Sequence, residues 1–121
     1  MTPLPMILLA AAASVGLYLG VLYLRGTAKP TVSVIHGCAG FFGLAGLVVV
    51  LRGNPYISDD PHPSHLGTIA AAFLAWTLFA GLVGPLYRET SRRNRELFLL
   101  SHAATGLVGV VIAYMWFYRQ S

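Results

Sequence analysis

The sequence predicts an all-α membrane protein: a four-helix transmembrane bundle made of two repeated helical hairpins. Three observations support this fold class: the composition, four long apolar stretches without charge, and a motif that occurs twice. Of the 121 residues, 56% are hydrophobic and only 10% are charged, whereas about 25% of the residues in soluble domains are charged. So few charges cannot cover a water-facing surface. The composition therefore excludes an ordinary soluble enzyme, a disordered chain and a nucleic-acid-binding domain.

Four stretches are long enough to cross a membrane, since a helix needs about 20 apolar residues to span the hydrocarbon core. They are residues 3–24, 31–51, 66–87 and 97–118, and none contains Lys, Arg, Asp or Glu. The first stretch lacks the basic start of a signal peptide, so we interpret it as a retained span. Pro85 is expected to end or kink the third span. We predict that residues 1–121 form a single membrane domain.

The basic residues predict the orientation of the spans. Six of the eight Lys and Arg residues lie in the connections 25–30 and 88–96, and the other two are Arg52 and Arg119. Because loops rich in Lys and Arg stay in the cytoplasm, we expect both basic connections to be cytoplasmic. The two termini then lie outside. We expect an integral protein of a bacterial inner membrane with periplasmic termini.

An internal repeat relates the two halves of the chain. The pattern H-x-x-x-G-x-x-G begins at His36 and again at His102, 66 residues later. The first and third spans both end in G-x-L-Y, beginning at Gly20 and Gly84. These matches predict two copies of one helical hairpin, within residues 1–52 and 60–121. Copies of two spans each share one topology, so the expected symmetry axis runs along the membrane normal.

The paired histidines are the main candidate site. His36 and His102 are the only histidines inside the spans, and each is the sixth residue of its span from the cytoplasmic end. At about 1.5 Å per residue, both lie roughly 8 Å inside that boundary. Ionisable groups in a membrane usually face the bundle interior. The same helix faces continue through four glycines: Gly40, Gly43, Gly106 and Gly109. Such a pair of faces could hold a porphyrin flat between two axial imidazoles.

On these two motifs and the four-span plan, the chain resembles the transmembrane b-type cytochromes of the cytochrome b-561 group. The resemblance implies haem b held by paired histidines and electron transfer to or from quinones, ascorbate or partner subunits. Carried over, His36 and His102 become the axial ligands of one haem iron, and the four glycines become haem-packing positions. The group typically holds two haems near opposite faces, whereas this chain has span histidines for one.

The resemblance also implies the partners. A bis-histidine haem has no open axial position, so we expect electron transfer and not oxygen binding. A chain of 121 residues with one cofactor is expected to be a subunit of a larger redox complex or a homo-oligomer in the bilayer, and a quinone is a further candidate partner. The haem propionates could be directed toward the cytoplasmic cations Lys29, Arg92, Arg93 or Arg95.

A second interpretation needs no cofactor. Glycines at this spacing also let membrane helices pack closely, and each histidine could hydrogen-bond a neighbouring hydroxyl, such as Ser33, Ser101 or Thr105. The chain would then be an accessory subunit that packs against partner helices.

Cys38, the single cysteine, is expected to be a small buried residue.

A third interpretation concerns the outer connection. Asp59, Asp60, His62 and His65 fall within seven residues, and carboxylates and imidazoles are common ligands of divalent metals. His62 and His65 are therefore candidate metal ligands, and His65 a candidate ligand of a second haem. A solvated loop that connects two spans is the simpler explanation of the same residues.

Overall fold

The computed structural model describes residues 2–53, 61–87 and 91–120, and within these ranges all regular structure is helical. These ranges contain four α-helices and one short 3₁₀ helix, and all four α-helices are long and apolar enough to cross a membrane. The predicted all-α class with four spans is confirmed. The α-helices are α1 (Leu4–Leu24), α2 (Pro30–Gly53), α3 (Pro61–Val83) and α4 (Arg92–Gln120). The chain divides into two compact units, Met1–Asn54 and Pro55–Ser121.

The first unit is a hairpin of α1 and α2, called hairpin 1 below. Its α1 ends in a Schellman motif: the N–H of Thr27 donates to the Leu22 carbonyl at 2.9 Å, and that of Gly26 donates to Tyr23 at 3.0 Å. Gly26 has a φ of 69°, which a residue without a side chain adopts without strain. This motif satisfies the last carbonyls of α1 and lets the chain turn into α2.

The second unit contains a hairpin of α3 and α4, called hairpin 2. Here α3 ends at Val83 and continues as a 3₁₀ helix over Gly84–Tyr87. The cause is Pro85, which has no N–H to donate to the carbonyl four residues earlier. The expectation that Pro85 ends the helical span is therefore confirmed.

Two helix starts lie earlier than predicted. The segment from Pro61 to His65, assigned to a solvated connection, forms the beginning of α3. Proline is tolerated in the first turn, where its missing N–H would have no partner in the helix. Similarly, α4 begins at Arg92 and not at residue 97. The predicted spans stopped where charge began, but a helix satisfies its own backbone and can continue past the apolar region.

Candidate functional site

His36 of α2 is attached to the backbone of α1. Its Nδ1 atom lies 2.8 Å from the carbonyl oxygen of Ala12. A carbonyl oxygen can only accept, so Nδ1 carries the proton and donates it. In the neutral ring, Nε2 then carries the lone pair, which is the form of imidazole that binds a metal ion.

The space for this imidazole comes from a glycine on α1. Gly16 lies one helical turn after Ala12, and a Cβ at Gly16 would stand 2.8 Å from Cε1 of His36. Real Cβ atoms do not approach another carbon so closely, so any side chain at residue 16 would displace the ring or separate the helices. The pair Ala12 and Gly16 therefore supplies both the acceptor and the room for His36.

His102 of α4 has the same arrangement in hairpin 2. Its Nδ1 atom donates to the carbonyl oxygen of Thr77 at 2.8 Å. Gly81 lies one turn after Thr77, and a Cβ there would stand 2.8 Å from Cε1 and 3.0 Å from Nδ1 of His102. Both imidazoles are half-buried. The two histidines thus have the same type of acceptor and the same tautomer, and each faces a glycine at the equivalent position of its partner helix.

The correspondence extends beyond the histidines. In hairpin 1 a Cβ at Gly43 would stand 2.9 Å from Leu9, and in hairpin 2 a Cβ at Gly109 would stand 2.9 Å from Leu74. The contacting residues of α1 and α3 are 65 positions apart, and those of α2 and α4 are 66 apart. Each hairpin therefore has its helices in the same register around its histidine.

The four predicted haem-packing glycines differ in their surroundings. Gly43 and Gly109 are buried, and their open sides are occupied by Leu9 and Leu74 of their own hairpins. A Cβ at Gly106 would meet the Thr77 methyl group at 3.0 Å, while one at Gly40 would have only an ordinary contact of 4.0 Å. Gly43, Gly106 and Gly109 therefore let the two helices of a hairpin approach closely, whereas Gly40 is not needed for this. Their role toward a haem stays a prediction.

The residues that hold the imidazoles were missed in the sequence. The H-x-x-x-G-x-x-G motif lies on α2 and α4, the helices that carry the histidines, whereas the acceptors lie on α1 and α3, outside the motif. One signal was available: Gly16 and Gly81 are separated by 65 residues, almost the 66 between the histidines. Their alignment would have suggested that both glycines have one role.

The outer metal site is not tested by the structure. Asp59 and Asp60 lie outside the described residues, as does the side chain of His62, while His65 is exposed near the start of α3. Among the described ranges, no three His, Cys, Asp or Glu side chains come together. Metal binding by His62 and His65 stays a prediction. The expectation for Cys38 was wrong, because this thiol is exposed on α2.

A shallow groove lies on hairpin 2 next to His102. Its volume is about 210 Å³, and it opens widely to the surroundings. The groove is mostly apolar, with an amide and a hydroxyl as its polar side chains, and its lining comes from both helices: Trp76, Ala80, Asn94, Leu97, Phe98 and Ser101. Since Ser101 precedes His102, a flat molecule in this groove would lie near the backbone of the histidine.

The histidines have the chemistry that a haem iron needs from its ligands. Metal-binding histidines almost always donate their second ring N–H to a carbonyl or carboxylate, which fixes the tautomer and raises the basicity of the ligating nitrogen. Both His36 and His102 do so through Nδ1. The donor set therefore fits a b-type haem.

Comparison with known proteins supports the same assignment. No curated protein and no solved structure matches the chain. A family model described as "Eukaryotic cytochrome b561" matches residues 1–119, which is nearly the whole sequence. The chain therefore belongs to the cytochrome b561 family, the membrane b-type cytochromes of electron transfer.

Proposed function

We propose that His36 and His102 are the two axial ligands of a single haem b, and that the chain transfers electrons within the membrane. The observation that carries the proposal is the matched hydrogen bond: each imidazole donates Nδ1–H to a carbonyl of its partner helix at 2.8 Å. Two neutral imidazoles with their lone pairs on Nε2 are the ligands of a six-coordinate haem. Family membership supplies the expectation of b-type haem.

The bound haem would supply one-electron chemistry, and the protein would hold and tune it. The carbonyls of Ala12 and Thr77 keep each imidazole in one tautomer and one orientation, so little ligand motion accompanies a change of oxidation state. The apolar helices exclude water, and together with these hydrogen bonds they set the reduction potential. With His36 and His102 both bound to the iron, no position would be open to oxygen, which favours electron transfer.

Electrons must reach this haem from another molecule. We assign that role to a neighbouring redox subunit, a second copy of the chain, or a quinone. The groove beside His102 is the proposed contact for a quinone ring, since it combines apolar walls with Asn94 and Ser101 as polar groups. If so, Asn94→Leu should slow haem reduction by a short-chain quinol without changing the haem spectrum.

The orientation is also proposed. The connections 25–30 and 88–96 carry most of the positive charge, and they would face the cytoplasm of a bacterial cell, with both termini in the periplasm. His36 and His102 would then both lie near the cytoplasmic side of the inner membrane.

Absorption spectra test the haem assignment directly. The protein purified in detergent should give sharp α and β bands of low-spin b haem after dithionite reduction. His36→Ala and His102→Ala should each abolish this low-spin spectrum, whereas His65→Ala, an exposed histidine outside the pair, should leave it unchanged. Retention of the low-spin bands in both single variants would overturn the ligand assignment.

The cofactor-free alternative is favoured by one observation. Leu9 and Leu74 occupy the space beside Gly43 and Gly109 within their own hairpins. Such close contacts are expected of glycines whose role is helix packing. An accessory subunit would show no haem bands even after expression with added haem. The same spectra therefore separate the two functions.

A further inference from the structure

A polar contact beside His102 in hairpin 2 has no hydroxyl groups to form it in hairpin 1. In hairpin 2 the Oγ1 atoms of Thr77 and Thr105 are 2.8 Å apart and join α3 to α4. In hairpin 1 the positions in the same register are Ala12 and Ala39, which have no hydroxyl group. The otherwise matched sites of His102 and His36 are therefore unequal.

The two hydroxyl groups share two protons among three close contacts. Oγ1 of Thr105 lies 2.7 Å from the carbonyl oxygen of Ser101, and Oγ1 of Thr77 lies 2.8 Å from both the carbonyl oxygen of Phe73 and Oγ1 of Thr105. Either Thr77 donates to Thr105 while Thr105 donates to Ser101, or Thr105 donates to Thr77 while Thr77 donates to Phe73. In both arrangements the hydroxyl pair joins α3 to α4.

Thr77 thus contacts α4 through three groups. Its hydroxyl reaches Thr105, its carbonyl accepts the Nδ1 proton of His102, and its methyl group lies over Gly106. The residue that holds the imidazole is therefore itself held by the helix that carries the imidazole. In hairpin 1, Ala12 has the carbonyl only, and its Cβ is 4.0 Å from the position of a Cβ at Gly40.

We infer that Thr77 and Thr105 are positioning residues that hold His102 more firmly than His36 is held. Hydrogen bonds between membrane helices contribute modestly, and an effect of roughly threefold to tenfold on local opening is expected from one such bond. The inference has a consequence that rests on the proposed haem ligation: His102 is the retained ligand, and His36 is the ligand that is lost first.

The first experiment needs no haem. In the haem-free protein in detergent micelles, NMR should show the Nδ1–H proton of His102 exchanging with water roughly threefold to tenfold more slowly than that of His36. Thr105→Val keeps the shape of the side chain but removes the hydroxyl that Thr77 contacts. The exchange rates of the His102 and His36 protons should then become similar. Thr105→Ser restores the hydroxyl and should restore the difference. His36 in the same sample is the internal control.

A transplant gives the converse test. Ala12→Thr with Ala39→Thr builds the hydroxyl pair into hairpin 1, where the Ala12 Cβ stands 4.0 Å from the position of a Cβ at Gly40, the same spacing that the Thr77 Cβ has to a Cβ at Gly106 in hairpin 2. The exchange of the His36 proton should then slow toward that of His102. Equal rates in the unmodified protein, or a His102 rate that Thr105→Val does not change, would overturn the inference.

The second experiment addresses the haem. Transfer of haem to apomyoglobin should be several times slower from His36→Ala, which keeps His102, than from His102→Ala, and Thr105→Val should reduce this difference. If the unmodified protein binds no haem, the proposed function fails while the exchange experiment still decides the positioning role. If both single variants lose haem equally fast, the retention consequence is wrong even though haem binds.

Discussion

The imidazole of His36 occupies the space that a side chain at Gly16 would need. A Cβ at Gly16 would stand 2.8 Å from Cε1 of the ring and 3.3 Å from Nδ1, the atom that donates to the Ala12 carbonyl. A methyl group at residue 16 therefore competes with both the position of the ring and its hydrogen bond. Gly81 stands in the same relation to His102.

We accordingly expect Gly16→Ala to disturb His36 directly. Overpacking costs about 1–3 kcal/mol, offset in part by the roughly 1 kcal/mol that alanine gains over glycine in a helix. The measurable result should be a lower thermal midpoint in detergent together with loss of most of the low-spin haem spectrum. Gly81→Ala should behave in the same way.

Gly20→Ala is the matched control for α1. Apart from the neighbouring backbone of α1 itself, no atom of the described residues lies within 4 Å of a Cβ at Gly20, so the added methyl group meets no other side chain and the helix propensity improves. Its thermal midpoint should be unchanged or higher, and its spectrum normal. If Gly20→Ala and Gly16→Ala have equal effects, the contact between Gly16 and His36 is not what matters.

Gly40→Ala tests whether a porphyrin packs against the glycine face of α2. Within hairpin 1 the added Cβ would make only an ordinary contact of 4.0 Å with Ala12, so the stability of the haem-free protein should be unchanged or slightly higher. If the glycine face holds the porphyrin, haem affinity should fall by roughly fivefold to 150-fold, because a methyl group on a flat ring contact costs roughly 1–3 kcal/mol. Haem titration of the haem-free protein measures the affinity.

Gly37→Ala is the control for this titration, since a Cβ there has no described atom within 4 Å. It should leave haem affinity unchanged. An unchanged affinity in Gly40→Ala as well would show that this glycine does not pack against the haem.

The spans and the two histidines could be predicted because they depend on local features: apolar length, absence of charge and a repeated motif. The acceptors of the histidines could not be assigned in this way, because they depend on the register between two helices. That register is set by contacts such as Leu9 on Gly43, which join residues 34 positions apart in the sequence. Periodicity identifies the face of a helix but not the residue opposite it.

The helix ends and Cys38 show a related limit. Charge marks where the membrane region stops, whereas a helix stops where its backbone loses its partners, so the starts at Pro61 and Arg92 lie outside the apolar spans. Cys38 was expected inside because soluble proteins bury cysteine. In a bilayer an exposed apolar side chain contacts lipid, so exposure on α2 carries little cost.

Trp116 of α4 offers a test of packing away from the histidines. It is 1% exposed, and its indole Nε1 has no acceptor among the described residues. A buried donor without a partner destabilises a protein by about 1–3 kcal/mol. Trp116→Phe removes this donor, and the stability gained offsets part of the stability lost with the larger ring. Trp116→Ala leaves a cavity that costs about 3–5 kcal/mol.

Thermal unfolding in detergent should therefore rank Trp116→Phe close to the unmodified protein and Trp116→Ala far below it. The haem spectrum serves as the check that each variant still has its native site. A Phe variant as unstable as the Ala variant would mean that the indole N–H has a partner whose loss is costly.

The arginines at the start of α4 test the proposed orientation. Arg92, Arg93 and Arg95 lie at the positive end of the helix dipole, and one glutamate, Glu96, accepts from Arg92 at 2.9 Å. The helix dipole therefore gives these charges no favourable interaction, which suits a role in topology or in contact with anionic head groups.

In a bacterial host, alkaline phosphatase fused to the C-terminus should be active, and green fluorescent protein fused there should be dark. Changing Arg88, Arg92, Arg93 and Arg95 to Gln should lower phosphatase activity several-fold, whereas Arg119→Gln on the opposite side should not. A bright fluorescent fusion of the unmodified chain would contradict the orientation and move both histidines to the periplasmic side.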